Sequence, residues 1–187
     1  MRGSKTPAMS RYVALLRAIN VGGHTVKMAT LGQLFESFGF SEVETFLASG
    51  NVLFQTTAQD AVTLESNITS GLRDALGFEV TTFIRKPAEM AKIVAYQAFP
   101  RSEVDSATAF NIAFLSGPLD EAAKQKLMAL RTEIDNLATH EREVYWLCRR
   151  KQSESTFSNA VLEKALGVKS TLRGVNTVKK LAAKLLQ

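Results

Sequence analysis

Apolar residues in this chain fall into short blocks whose spacing alternates between consecutive positions and every third or fourth position. Residues 11–19 are β-rich, whereas Met28, Leu31, Leu34, Phe35 and Phe38 recur at helical spacing and stop at Gly39, a residue type that commonly ends helices. Residues 43–48 and 52–57 are two short apolar segments separated by Ser49-Gly50-Asn51, and turn residues between β-rich runs signal a hairpin. Leu64, Ile68, Leu72 and Leu76 then form an i, i+4 stripe that ends at Gly77, and residues 80–85 read as a further strand. The pattern predicts the order βαββαβ.

Residues 87–99 read as an added helix with Pro87 in its first turn, closed by Pro100, and the charged, small-residue stretch 101–106 reads as a linker. The layout then repeats. Residues 108–115 form a strand, 119–130 a helix carrying Leu119, Ala123, Leu127 and Leu130, and 133–138 with 143–149 the next hairpin. Thr156 is the expected N-cap of a helix carrying Val161, Leu162 and Ala165 up to Gly167; residues 168–172 make the last strand and 177–186 the closing helix. The predicted fold class is α+β, with two ferredoxin-like (βαββαβ) subdomains over residues 9–100 and 107–187, each followed by an extra helix. The first strands, YVALL and NIAFL, are apolar at consecutive positions, so both faces of each are expected to be buried. The trailing helices or a sheet-to-sheet contact between the halves would supply the second cover.

Composition sets the class around this fold. A length of 187 residues fits one large domain or two of about 90 residues. With 45% hydrophobic and 22% charged residues, the chain has the make-up of a soluble globular protein with a sizeable core. A single cysteine, Cys148, excludes an internal disulfide and favours a reducing, cytoplasmic setting. The longest early apolar run, residues 12–16, is flanked by Arg11 and Arg17 and is too short for a signal-peptide core or a membrane span. The opening MRGSKTPA has the look of a vector-derived leader ahead of a natural start at Met9. The net charge of +5 is uneven: residues 142–187 carry ten Lys or Arg against three Glu, a local net of +7. Such clustering can serve an anionic partner, but charge balance alone favours the plainer reading of a solvated terminal face.

Three separated motifs carry a resemblance. LLRAINVGGHTVKM, the ASGNVLF of residues 48–54 and the ending ALGVKSTLRGVNTVKKL of residues 165–181 resemble the bacterial domain-of-unknown-function family numbered sixteen-ninety-seven, from about Met9 to the end. The resemblance implies a pair of ferredoxin-like subdomains and no assigned activity. The chain departs from the family pattern at Ala18, where glycine is usual, and at Gly174-Val175, where asparagine and tryptophan precede the Asn176-Thr177-Val178 segment.

The topology also locates a candidate site. In a sheet ordered 4-1-3-2, strand one ends at the edge where strand two turns into strand three, so the loop at residues 20–26 and the Ser49-Gly50-Asn51 turn should converge. They lie beside the start of the first helix, whose free N–H groups and positive dipole end favour an anion. The expected pocket consists of Asn20, Gly22, Gly23, Lys27, Ser49 and Asn51, with Arg17 nearby and the two asparagines within side-chain reach of each other. A competing structural reading gives the glycines a turn to make, the asparagines a loop to hold and Lys27 a place in solvent. The loop is neither a G-x-x-x-x-G-K-[ST] phosphate loop nor a G-x-G-x-x-G dinucleotide loop.

Other chemistry has less support. Cys148 sits in the run VYWLC, where a small core hydrophobe is favoured over a nucleophile. His24 and His140 lack the partner spacing of a zinc site, the serines of QSESTFS suit helix caps, and the G-x-S-x-G elbow is absent. No metal, cofactor or catalytic residue is assigned, and acid–base chemistry from carboxylates that meet only in space stays open. Three function classes remain: a binding protein for a small anionic, phosphate-bearing ligand; an RNA binder; and an interaction module without catalysis. For RNA, the third strand NVLFQT offers only Phe54 where RNA-recognition modules display several stacking aromatics, so weak, salt-sensitive nucleic-acid binding is the expectation.

Overall fold

The computed structural model describes residues 8–20 and 23–187. Among them are eight strands and seven α-helices; the strands and six of the helices follow the expected order, and the seventh stands where a linker was expected. The first half runs β1 (Ser10–Leu16), α1 (Met28–Ser37), β2 (Ser41–Phe46), β3 (Asn51–Thr56), α2 (Ala61–Leu76) and β4 (Thr82–Arg85). After α3 (Pro87–Ala95) and α4 (Arg101–Ser106), the second half runs β5 (Ala109–Leu115), α5 (Glu121–Met128), β6 (Asp135–His140), β7 (Glu143–Cys148), α6 (Asn159–Leu166) and β8 (Ser170–Gly174), then closes with α7 (Val175–Leu185). Two four-stranded antiparallel sheets result, ordered β2-β3-β1-β4 and β6-β7-β5-β8. Each is the sheet of a ferredoxin-like subdomain, in the strand order the periodicity predicts. The chain divides into two compact units, Glu89–Lys184 and the preceding residues to Ala88 with Leu185–Gln187, so α3 groups with the second unit.

In the first unit, Tyr12, Ala14 and Leu16 of β1 alternate onto the helix-covered face and meet Leu31 and Phe35 of α1 and Leu64, Ile68 and Leu72 of α2. Val13 and Leu15, on the opposite face, are also fully buried, so the consecutive apolar run has neither face in water. In the second unit Ala113 and Leu115 of β5 join Leu127, Val144, Trp146, Phe157 and Leu162 in the equivalent core. Both sheets protect an outer edge with helix side chains. Ile84 N–H donates to Glu65 Oε1 at 2.8 Å and Thr82 N–H to Thr69 Oγ1 at 3.1 Å. On β8, Ser170 N–H donates to Glu163 Oε1 at 2.7 Å, and Asn159 donates to Ser170 O at 3.1 Å. Edge groups satisfied in this way no longer recruit a foreign strand.

Several local expectations are corrected. β1 ends at Leu16 rather than Ile19, because Ala18 adopts φ +59 and turns the chain out of the ladder. The stretch 101–106, expected as a linker, is the helix α4, held by an Arg101–Asp105 pair one turn apart. The helix cap in QSESTFS is Ser158, which accepts from Val161 N–H, and not Thr156. β6 starts at Asp135 instead of residue 133, since Asp135 N–H donates to Thr132 Oγ1 and Thr132 N–H returns to Asp135 O, a turn that occupies the residues before it. β8 is displaced to Ser170–Gly174 by its pairing of Ser170 with Leu115 and Gly174 with Asn111, and α7 follows at once. No helix among the described residues is long and apolar enough to cross a membrane.

Candidate functional site

The loop after β1 and the turn before β3 do converge. Leu16 N–H donates to Gly50 O at 2.8 Å, and the Asn20 amide donates to Ala48 O at 3.1 Å while its oxygen accepts from Val26 N–H at 2.7 Å. One asparagine thus ties the turn on one side and the loop on the other. Asn51 is fully buried at the first position of β3, and its amide donates to Phe46 O at 2.8 Å and Ser49 Oγ at 2.9 Å. Both asparagine side chains are therefore engaged with this edge, each through its own set of partners. Gly50 has φ +75, and a Cβ there would lie 2.5 Å from Ile19 Cγ2, so the turn needs glycine for close approach as well as for conformation. Gly23, at φ +88, has open space around the position of a Cβ and needs glycine for φ alone.

Beside this braced loop stands the N-terminus of α1. α2, α5 and α6 are capped by the side chains of Asp60, Asp120 and Ser158, whereas the N-cap of α1 is Lys27, which makes no side-chain cap, and no acidic residue lies in the first turn. The N-cap side chain thus accepts from none of the first N–H groups of α1, which stand beside an exposed lysine at the positive end of the helix. Arg17 is half-buried, with its N–H donated to Thr81 O at 2.9 Å. Ser49 is exposed at the turn. Gly22 lies outside the described residues. Of the expected set, then, Asn20, Ser49 and Asn51 form the frame, Lys27 stands at the helix start, and Gly23 turns the loop that leads to it.

Residues considered for other chemistry are accounted for by packing. Cys148 is fully buried in the second core; burial is the main cause that raises its thiol above the ordinary range, and Sγ donates to Arg150 O at 3.0 Å. That burial suppresses the thiolate a nucleophile would need. His24 stacks on Phe78 and His140 on Tyr96, each with ring centroids 4.0 Å apart. No group of three or more His, Cys, Asp or Glu among the described residues is placed to hold a metal ion.

Two groupings escaped the sequence reading because their members are distant along the chain. Asp135, almost fully buried, accepts from Trp146 Nε1 at 2.8 Å, Thr132 Oγ1 at 2.7 Å and Ser155 Oγ at 2.8 Å. Burial alone would raise its pKa, yet these hydrogen bonds outweigh it and hold the carboxyl below the ordinary value. Three donors from separate segments hold the carboxylate, which marks it as an anchor. Separately, Tyr96, Phe110, Tyr145 and Lys179, from four segments of the second unit, line one cavity of about 340 Å³.

A solved structure of the same architecture is that of a conserved bacterial protein, SP0830, from Streptococcus pneumoniae, at a TM-score of 0.79 and 20% identity, covering 96% of this chain and 100% of that one. At that identity the likeness concerns the fold. No curated protein matches the sequence. A family model described as "Protein of unknown function (DUF1697)" matches residues 9–145, the stretch that holds the braced loop, the first sheet and most of the second, and the chain therefore belongs to that family.

Proposed function

We propose that this protein binds a small anionic, phosphate-bearing ligand at the start of α1. The observation that supports the reading is the contrast at the helix ends: where α2, α5 and α6 fill their first N–H groups with an acceptor side chain, α1 presents lysine and leaves the acceptor position to something else. Asn20 and Asn51 contribute by fixing the loop and the turn around that position, so that little ordering cost falls on ligand binding. Lys27, Gly23 and the backbone of the first turn make the contacts in this reading, with Arg17 and Ser49 at its border. The RNA reading is disfavoured by the first sheet, where Leu53 and Phe54 are both fully buried and offer no ring for a base.

Calorimetric titration with inorganic phosphate and ribose 5-phosphate tests it. Lys27→Ala is expected to weaken binding about tenfold and to change stability by less than about 0.5 kcal/mol. Lys27→Asp supplies the absent cap, so it should raise stability by about 0.5–1 kcal/mol and remove anion binding. Asn51→Ala should instead cost about 1–3 kcal/mol of stability, as expected for a buried hydrogen-bonding side chain. Absence of binding to the wild-type protein, or binding indifferent to Lys27→Asp, would refute the reading.

A further inference from the structure

The second unit contains a groove that differs in character from the loop at α1. Two adjoining cavities of about 340 and 290 Å³ share Val94, Tyr96, Val104, Phe110 and Lys179. A volume of this order falls at the lower end of the ~300–1,000 Å³ typical of small-molecule sites. Phe110 and Ile112 lie on the β5 face opposite Ala113 and Leu115, which belong to the helix-covered core, and Tyr145 joins them from β7.

Four aromatic rings, Tyr96, Phe99, Phe110 and Tyr145, stand in the walls and are held in place by one another before any ligand arrives. Tyr96 is 37% exposed, unusual for so large an apolar ring, yet it stacks on His140 with centroids 4.0 Å apart and 6° between planes. It also lies 5.2 Å from the Tyr145 ring, while Phe99 packs edge-on against Phe110 at 5.7 Å. A ring fixed in this way gives stacking area at small entropic cost.

The charge lining the two cavities has one sign. Arg101 and Lys179 are present and no Asp or Glu is. Arg101 is compensated by Asp105 at 2.8 Å, but Lys179 has no ion pair among the described residues and stands one turn into α7, near Asn176 and the positive end of that helix. An uncompensated cation beside an aromatic wall matches a ligand with a flat ring and a negative group.

We propose that this groove binds a planar aromatic molecule bearing an acidic group, its ring against Tyr96 and Phe110 and its acid at Lys179. The site involves residues of the second unit only and is independent of the anion reading at α1.

Calorimetry on the full chain separates the two parts of the ligand by comparing adenosine 5′-monophosphate with adenosine, 2-naphthoate with 2-naphthol, and ribose 5-phosphate as an acid without an aromatic ring. Each aromatic anion should bind about tenfold tighter than its neutral counterpart; with anion binding at α1 removed by Lys27→Asp, adding Lys179→Met should abolish that difference while leaving the neutral compounds unaffected. Tyr96→Leu, which keeps bulk and removes the ring, should weaken all four aromatic compounds. Lys179→Met, at an exposed side chain, should keep the wild-type melting temperature, and Tyr96→Leu, which loses the ring contacts with His140 and Tyr145, should lower it by only a few degrees and leave the protein folded. Lys27→Ala should leave the preference for aromatic anions intact, whereas any ribose 5-phosphate binding at α1 should depend on Lys27 and not on Lys179. The inference is overturned if neither aromatic anion outbinds its neutral counterpart, if the difference survives Lys179→Met added to Lys27→Asp, or if Tyr96→Leu has no effect.

Discussion

Ala18 and Gly50 face each other's problem at the end of β1. Ala18 holds φ +59, a left-handed conformation that disfavours a side chain. Gly50 holds φ +75 with Ile19 and Leu16 pressed against the place a Cβ would occupy. Opposite substitutions should therefore have opposite signs: Ala18→Gly is expected to stabilise the protein by roughly 0.5–1 kcal/mol by relieving strain. Gly50→Ala is expected to destabilise it by about 2–4 kcal/mol through conformation and clash together. Urea denaturation of the two variants checks the pair, and equal signs would show that this corner is not strained as described.

Among the elements, the hairpin of β6 and β7 depends on one carboxylate. Asp135 joins the start of β6 to Trp146 in β7 and to Ser155 in the segment leading to α6. Its folded pKa is lowered, so its contribution is fully present above the unfolded value near 3.9 and disappears as the pH falls through the folded value. Asp135→Asn should destabilise by about 2–3 kcal/mol at pH 7, and the gap from wild type should narrow as the pH is lowered from about 5 towards 2. Stability curves of the two proteins against pH measure this directly; a gap that stays constant would mean that the carboxylate charge is not what anchors the hairpin. The two edge strands show the same economy of means, with Glu65 of α2 accepting an outward N–H of β4 and Glu163 of α6 one of β8.

For the molecule as a whole, the two units repeat even in their exceptions. Arg85 pairs with Val13 across β4 and β1, and Arg173 pairs with Ile112 across β8 and β5, so a buried arginine stands at the same register in each sheet. Burial pushes the Arg173 guanidinium down to about 10, which still leaves it charged at neutral pH. The net charge of +5 and the +7 of residues 142–187 favour attraction to nucleic-acid backbones. With the first-sheet aromatic buried, such binding should be weak and without sequence preference. Fluorescence anisotropy with unrelated RNA oligomers should show affinity that falls steeply between about 50 and 200 mM salt. Affinity that survives high salt, or discriminates among sequences, would contradict it.

The order of strands and helices was legible in the spacing of apolar residues, because the periods of helix and strand differ enough to read and because glycines mark the ends of α1, α2 and α6. The sheet order followed from that sequence of elements, and with it the meeting of the Asn20 loop and the Ser49-Gly50-Asn51 turn. What the spacing could not reveal was the use of each polar group. Whether Asn20 faces a ligand or the carbonyl of Ala48 depends on where residue 48 arrives in space, and the cap of α6 depends on whether the helix begins after Thr156 or after Ser158. Tyr96, Phe110, Tyr145 and Lys179 carry no common spacing at all; they are neighbours only because antiparallel pairing brings β5 beside β7 and because α3 and α7 end and begin at that face. Local periodicity is a property of consecutive residues and survives in the sequence, whereas a site joins residues that only the folded sheets bring together.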